Sequence, residues 1–388
     1  MELGGAESAL LGLLQAHDPK RADIDLFLYA HRGELMEFIP VEKVNLMYEM
    51  QPYAMIERPI SELLRKGFWR LAASRIKAKF LSRHERGRCP SGCDDISVYY
   101  YIAESVSSHL PAINPSVTYD LAISFMQPHQ FVLDKVRARK KLAWVHTDYS
   151  KVYVSPKEEQ VWNKYDYVGA ISEDVGKSIV QTFPSLSPKV LPIENILSSR
   201  FIRQRAMSET VTLQGSGLKF LSIGRYSFQK RFDEIPAIAS RLLQTFPDLT
   251  WSIIGYGSAV EEGKIRDAIV RENVQEHVFL LGKKTNPYPY IQSCDVYVQP
   301  SRYEGKSITV REAQILMKPV IVTAYPTAPS QVIDGVDGVI VPMEIEDCAE
   351  AIKNFLENID LLYKVKQYLS SHDYGNESEI EKIYQLAK

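Results

Sequence analysis

Cysteine is scarce in this chain, long apolar runs are missing, and the 388 residues carry a formal net charge of only −2. Each shortage excludes something. Cys89, Cys93, Cys294 and Cys348 are too few and too scattered for a disulfide framework, which points to a reducing, cytoplasmic setting. Cys89-Pro-Ser-Gly-Cys93 has no second Cys/His pair at a metal-finger spacing, and its insert is turn chemistry, so no metal is expected there. No segment approaches the ~18 consecutive apolar residues that span a bilayer, and no charged stretch followed by an apolar core opens the chain. A near-neutral balance gives no general electrostatic case for nucleic acid. What remains is an ordinary globular composition, 45% hydrophobic and 24% charged, on a length that favours two domains.

The second half is the more legible. Short β-branched runs at 219–223, 250–254, 277–281, 295–299, 320–323 and 338–341 read as strands. Helical patterns at 232–245, 258–272, 289–293, 308–316, 330–334 and 345–356 separate them, the alternation of a doubly wound parallel sheet. Such a sheet binds ligands beyond the carboxyl ends of its strands. In the first half, 25–29, 121–125, 141–146 and 167–170 read as buried strands, which predicts a second Rossmann-like domain. The expected division is an N-terminal domain over 1–200, a nucleotide-binding domain over 201–365, and a C-terminal helix in 366–388 returning to the first.

Three features of the second half converge on phosphate chemistry. The strand ending in Gly224 is followed by Arg225, Lys230 and Arg231, cations suited to a diphosphate, although an ordinary charged loop would look the same. Gly255-Tyr256-Gly257 stands between a strand and a helix, where glycine allows close backbone approach. The third is Ser301-Arg-Tyr-Glu304-Gly-Lys-Ser307-Ile-Thr-Val-Arg-Glu312. A helix starting near Ser307 leaves Glu304 in the loop and Glu312 in the second turn. The amides of Gly305, Lys306, Ser307 and Ile308 then form a helix N-terminus that can seat an anion. The plainer reading makes both acids capping or surface residues.

Together, and in this order, Gly224-Arg225 with Lys230, Gly255-Tyr-Gly257 and Glu304-x7-Glu312 resemble family 4 of the retaining glycosyltransferases. That family has the GT-B fold, an α/β architecture of two Rossmann-like doubly wound domains facing across a cleft. Gly4-Gly5-Ala6-Glu7 and Lys141-Leu-Ala-Trp-Val-His146-Thr-Asp148 extend the resemblance, and Tyr303-Glu-Gly-Lys-Ser looks most like bacterial capsular and exopolysaccharide glycosyltransferases. The resemblance implies that Arg225 and Lys230 neutralise the diphosphate of a UDP- or GDP-sugar, Glu304 contacts the transferred sugar and Glu312 the ribose. It further implies that Gly5 lets backbone approach the substrates, that His146 faces the sugar, and that configuration is retained. The acceptor it suggests is a polyprenyl-linked glycan. No cofactor or metal is expected, since no Asp-x-Asp motif stands at the carboxyl end of a strand. Two departures stand out: only Met1-Glu2-Leu3 precede the glycine turn where relatives have a strand, and Lys306 replaces an apolar residue. A non-catalytic sugar-nucleotide-binding or scaffold subunit and a GT-B nucleotide-sugar epimerase are the alternatives.

Residues 65–88 hold nine Lys/Arg, one acid (Glu85), and interleaved Phe68, Trp69, Leu71, Ile76, Phe80 and Leu81. This pattern suits an interfacial helix on the anionic inner leaflet, making the protein peripheral to the membrane; a solvated helix face is the bland alternative. No nucleic-acid motif accompanies it.

Overall fold

The computed structural model describes residues 1, 4–87, 89, 94–150 and 152–388. The turn expected at Cys89 to Cys93 and the cation Arg88 lie outside the described residues in whole or part. The chain forms two compact units, Met1–Ile196 with Glu377–Lys388, and Leu197–Asn376.

The second unit is a six-stranded, fully parallel sheet. Numbered along the unit, its strands are Lys219–Ile223, Thr250–Ile254, Val278–Gly282, Val296–Gln299, Val320–Thr323 and Gly338–Val341. They lie in the spatial order third, second, first, fourth, fifth, sixth. Apart from the edge strand Val278–Gly282, which is mostly half-buried, nearly every strand residue is buried because helices cover both faces, and the strands read as unbroken apolar runs rather than alternating ones. One face packs Phe220, Trp251, Ile253, Ile238 and Ile352. The other packs Leu221, Tyr297, Val310, Ile315 and Val322. Strand order reverses between the first and fourth strands, so a crevice for ligand is expected where the loops after Ile223 and Gln299 diverge.

The first unit holds a four-stranded parallel sheet, Tyr119–Ser124, Ala138–Val145, Tyr167–Ala170 and Val190–Pro192. Trp144, Trp162, Val168 and Ile179 fill its core, joined by Ile380, Ile383 and Tyr384 of the C-terminal helix. The strand expected at 25–29 pairs only over Asp25–Leu26, with Asn45–Leu46. Past Leu26 the chain turns to aromatic packing: Phe27 and Tyr29 lie 4.9 and 5.8 Å from the Tyr53 ring. Gly5 opens the helix Gly5–Ala16, whose Leu11 and Leu14 pack against Leu26, Ile39 and Val44.

Two expectations need correction. The C-terminal segment grouped with the first unit begins at Glu377, not 366, because Val365 and Leu369 are fully buried in the second unit's core. Residues 330–334 are not a helix; a single 3₁₀ turn, Ala328–Ser330, reaches only the first of them. The second unit's ends are fastened to each other: Leu197 N–H donates to Asn376 Oδ1 at 2.8 Å, and Asn376 N–H to the Leu197 carbonyl at 3.2 Å.

Candidate active site

The crevice of the second unit is built from backbone first. Gly224 directly follows the first strand, and its N–H donates to the Ile254 carbonyl. Gly255 ends the second strand so close to it that a Cβ there would sit 1.9 Å from the Gly224 carbonyl oxygen. A Cβ on Gly257 would meet Tyr226 Cβ and O at 2.6 Å. These glycines are fixed by backbone contact.

Lys230 returns across Gly224, its methylenes 3.1–3.3 Å from where a Cβ would be. Its ammonium meets Glu304 Oε1 at 2.6 Å, with side-chain exposures of 16% and 7%. Glu304 also accepts from Ser301 Oγ at 2.6 Å, Gln229 Nε2 at 3.3 Å and Gln299 Nε2 at 3.4 Å. A buried carboxylate is tolerated only when its lone pairs are met in this way. The turn bearing it is tied from the fifth strand's side: Thr323 Oγ1 donates to the Ser301 carbonyl at 2.6 Å and Thr327 Oγ1 to the Glu304 carbonyl at 2.8 Å. Arg302 fastens the two loops together, donating to the Phe228 carbonyl at 2.6 Å, pairing with Glu234 and lying over the Phe228 ring.

The helix Ile308–Ile315 starts after Ser307 with no side-chain cap. Amides at such a start have no helical acceptor and favour an anion. The Ser307 N–H, however, already donates to Gln331 Oε1 at 3.0 Å, and Gln331 Nε2 donates back to the Ser307 carbonyl. Of the four residues expected to offer amides, Gly305, Lys306, Ser307 and Ile308, Ser307 is therefore engaged. Gly305, Lys306 and Ile308 are half-buried along the same turn.

Glu312 lies in the second helical turn, 3% exposed, accepting from Tyr288 Oη at 2.9 Å. Burial pushes its pKa up to about 7, against the opposing pull of the Tyr288 hydroxyl. A carboxyl raised by folding keeps its proton in the native state while the unfolded chain has lost it. Its burial therefore costs stability progressively from the ordinary carboxylate range near 4.5 up to pH 7. We expect Glu312→Gln to melt higher than wild type at pH 8, by on the order of 3 kcal/mol at most, and to match it at pH 4. A difference independent of pH in calorimetry would refute the assignment.

The expected cations separate. Lys230 is in the network. Arg225 is exposed, and its guanidinium has no hydrogen bond or ion pair among the described residues. Arg231 is structural: it sits at φ +60°, 4% exposed, bound to Glu234 and the Met343 carbonyl. Of the three cations after Gly224, it is the one spent inside the fold.

His146 and Gly5 belong to the first unit. His146 follows the strand Ala138–Val145, its ring 4.5 Å from Phe125 and 5.9 Å from Trp144, with both nitrogens buried. Burial lowers its pKa to about 4, outweighing the Asn195 side chain and the Phe125 backbone, so the ring is neutral at physiological pH. Gly5 is exposed at its helix start. Sequence reasoning missed Gln299 and Gln331, both buried, whose only sequence signal is a glutamine inside or beside an apolar run.

Residues 204–371 match the family model described as Glycosyl transferases group 1. The amylovoran biosynthesis glycosyltransferase AmsD of Erwinia amylovora is 25% identical over 170 residues, 42% of this chain and 46% of that protein. The N-acetylgalactosamine-N,N'-diacetylbacillosaminyl-diphospho-undecaprenol 4-alpha-N-acetylgalactosaminyltransferase of Campylobacter jejuni is 28% identical over 205 residues, 51% and 53% of the two chains. The chain spans about half the length of these curated relatives. Among solved structures, HepE of Anabaena in complex with UDP and glucose superposes with a TM-score of 0.66 at 15% identity, covering 98% of this chain and 95% of that one. The fold is GT-B, with parallel-sheet α/β domains.

Proposed function

We propose that the protein is a retaining, metal-independent glycosyltransferase of cell-surface polysaccharide synthesis, moving a sugar from a UDP- or GDP-sugar to a lipid-linked glycan. The observation that carries this reading is the Lys230–Glu304 pair set at the reversal point of the parallel sheet, beside an uncapped helix start. The family match, the polysaccharide-related names of the relatives and the UDP in the HepE complex support it.

In this mechanism Lys230, Arg225 and the amides of Gly305, Lys306 and Ile308 receive the diphosphate, Glu304 the sugar, and Glu312 the ribose. The acceptor hydroxyl oxygen forms a bond to the anomeric carbon on the face from which the diphosphate leaves. The anomeric carbon–oxygen bond breaks, and the departing phosphate takes the hydroxyl proton. Negative charge grows on the diphosphate in an oxocarbenium-like transition state, so fixed cations and helix amides stabilise that state more than the ground state. His146, neutral, would serve as a hydrogen-bonding partner for the sugar rather than a charge.

A thermal-shift panel tests the reading. The matching nucleoside diphosphate, at about a hundred times its Kd, is expected to raise the melting temperature by roughly 5–10 °C, because it binds only the native state. Transfer is expected to persist in EDTA. No shift with either UDP or GDP overturns the nucleotide site; a shift without transfer or donor hydrolysis selects the scaffold alternative.

A further inference from the structure

The helix Trp69–Arg86 in the first unit has two apolar faces, and the fold uses one. Leu71, Ala72 and Ala78 are buried, the first two against Leu63, Val106 and Phe131. Glu85, the helix's single acid, is consumed inside, accepting from the Tyr101 and Tyr153 hydroxyls. On the outer side Trp69, Ile76 and Phe80 are 65%, 54% and 74% exposed. At 100° per residue the spacings of seven and four bring all three within about 40° of one line. Arg70 and Lys77 flank this ridge on one side, Lys79 and Arg83 on the other.

Beside the second flank lies a groove of about 350 Å³, floored by Ile60, Val98 and Ile102 and walled by Arg75, Lys79 and Arg83. Arg75 also donates to the Arg58 carbonyl, which fixes its guanidinium at the rim. A helix face meant for water carries polar groups along its outermost line. Here that line is aromatic and aliphatic, with cations on both sides and no exposed acid.

We propose that this face lies on an anionic lipid surface. Trp69, Ile76 and Phe80 enter the boundary of the acyl chains, the flanking Lys and Arg reach back to phosphates, and the groove at Arg75, Lys79 and Arg83 holds one headgroup. Cations on both sides of an apolar ridge complement a plane with apolar depth and surface phosphates. Duplex nucleic acid offers the charge without the depth. The proposal concerns the first unit and does not rest on the nucleotide site.

Flotation of the full chain with vesicles tests it. At low salt the chain is expected to float with equal phosphatidylcholine and phosphatidylglycerol, to stay down with phosphatidylcholine alone, and to be released by high salt. Each cation near such a surface is worth roughly a five-fold change, so K77Q/K79Q/R83Q is expected to lower partitioning ~100-fold. W69S/F80S, which replaces two exposed side chains, is expected to lower it at least ~10-fold. Lys264→Gln, in the second unit, serves as a charge control and leaves partitioning unchanged. Circular dichroism and the nucleotide thermal shift are expected to stay at wild-type values in all variants. Equal binding to both vesicles, no binding to either, retained binding in the triple variant, or displacement by duplex DNA overturns the proposal.

Discussion

Glu304→Gln is expected to lower sugar transfer by about 10²–10³-fold while nucleoside diphosphate affinity stays within a few-fold of wild type. The amide keeps the shape of the carboxylate and can still accept from Ser301 Oγ, which lies 2.6 Å from Oε1. It cannot supply the negative charge that holds the Lys230 ammonium 2.6 Å away, nor the charge that the proposed mechanism sets against a sugar ring turning cationic as its bond to phosphate breaks. Lys230 retains 16% of its side-chain exposure and can turn toward solvent, so the structural cost is about 1–3 kcal/mol, a lower melting temperature rather than an unfolded chain. The split between rate and affinity is the decisive readout. Steady-state kinetics with near-normal turnover would remove Glu304 from the reaction, and a loss of affinity equal to the loss of rate would assign it to ground-state binding.

Gly255→Ala is expected to destabilise the second unit by about 3 kcal/mol or more. The new methyl would lie 1.9 Å from the Gly224 carbonyl oxygen and 2.8 Å from Tyr226 Cε1. The obstructing atom is backbone, held by the pairing of the first two strands, so relief requires those strands to separate at the crevice. Gly263→Ala is the matched control. It lies inside the helix Ala259–Arg271 with open space around the added carbon, and is expected to stabilise by about 1 kcal/mol. Denaturant unfolding of both variants, followed by Trp251 fluorescence in the second unit's core, measures the contrast. Similar midpoints for the two would mean that the strand ends are looser than their contacts imply.

The second unit is legible because its strands are parallel and, apart from the half-buried edge strand Val278–Gly282, almost wholly buried. Val320–Thr323 and Gly338–Val341 are unbroken apolar runs bounded by turn residues, and no face alternation had to be inferred. Lys230 and Glu304 could be named from motif order, but their direct pairing could not, since it joins residues on separate loops. Gln331 escaped for the same reason: it sits in a segment with helical periodicity, yet its side chain clamps Ser307 from another loop. Arg231 looks equivalent to its neighbour Lys230 in sequence. Its left-handed backbone turns it inward instead. In the first unit, strand signal at 25–29 was real hydrophobicity spent on an aromatic cluster around Tyr53 rather than on a ladder.

The mutual hydrogen bonds of Leu197 and Asn376 make the stretch Leu197–Asn376 a closed excursion, begun and finished at one point. A module joined to its host in this way can be acquired or exchanged in evolution as a cassette, because the host chain needs only to be rejoined where the two crossings meet. Each of the two units is then free to change independently of the other.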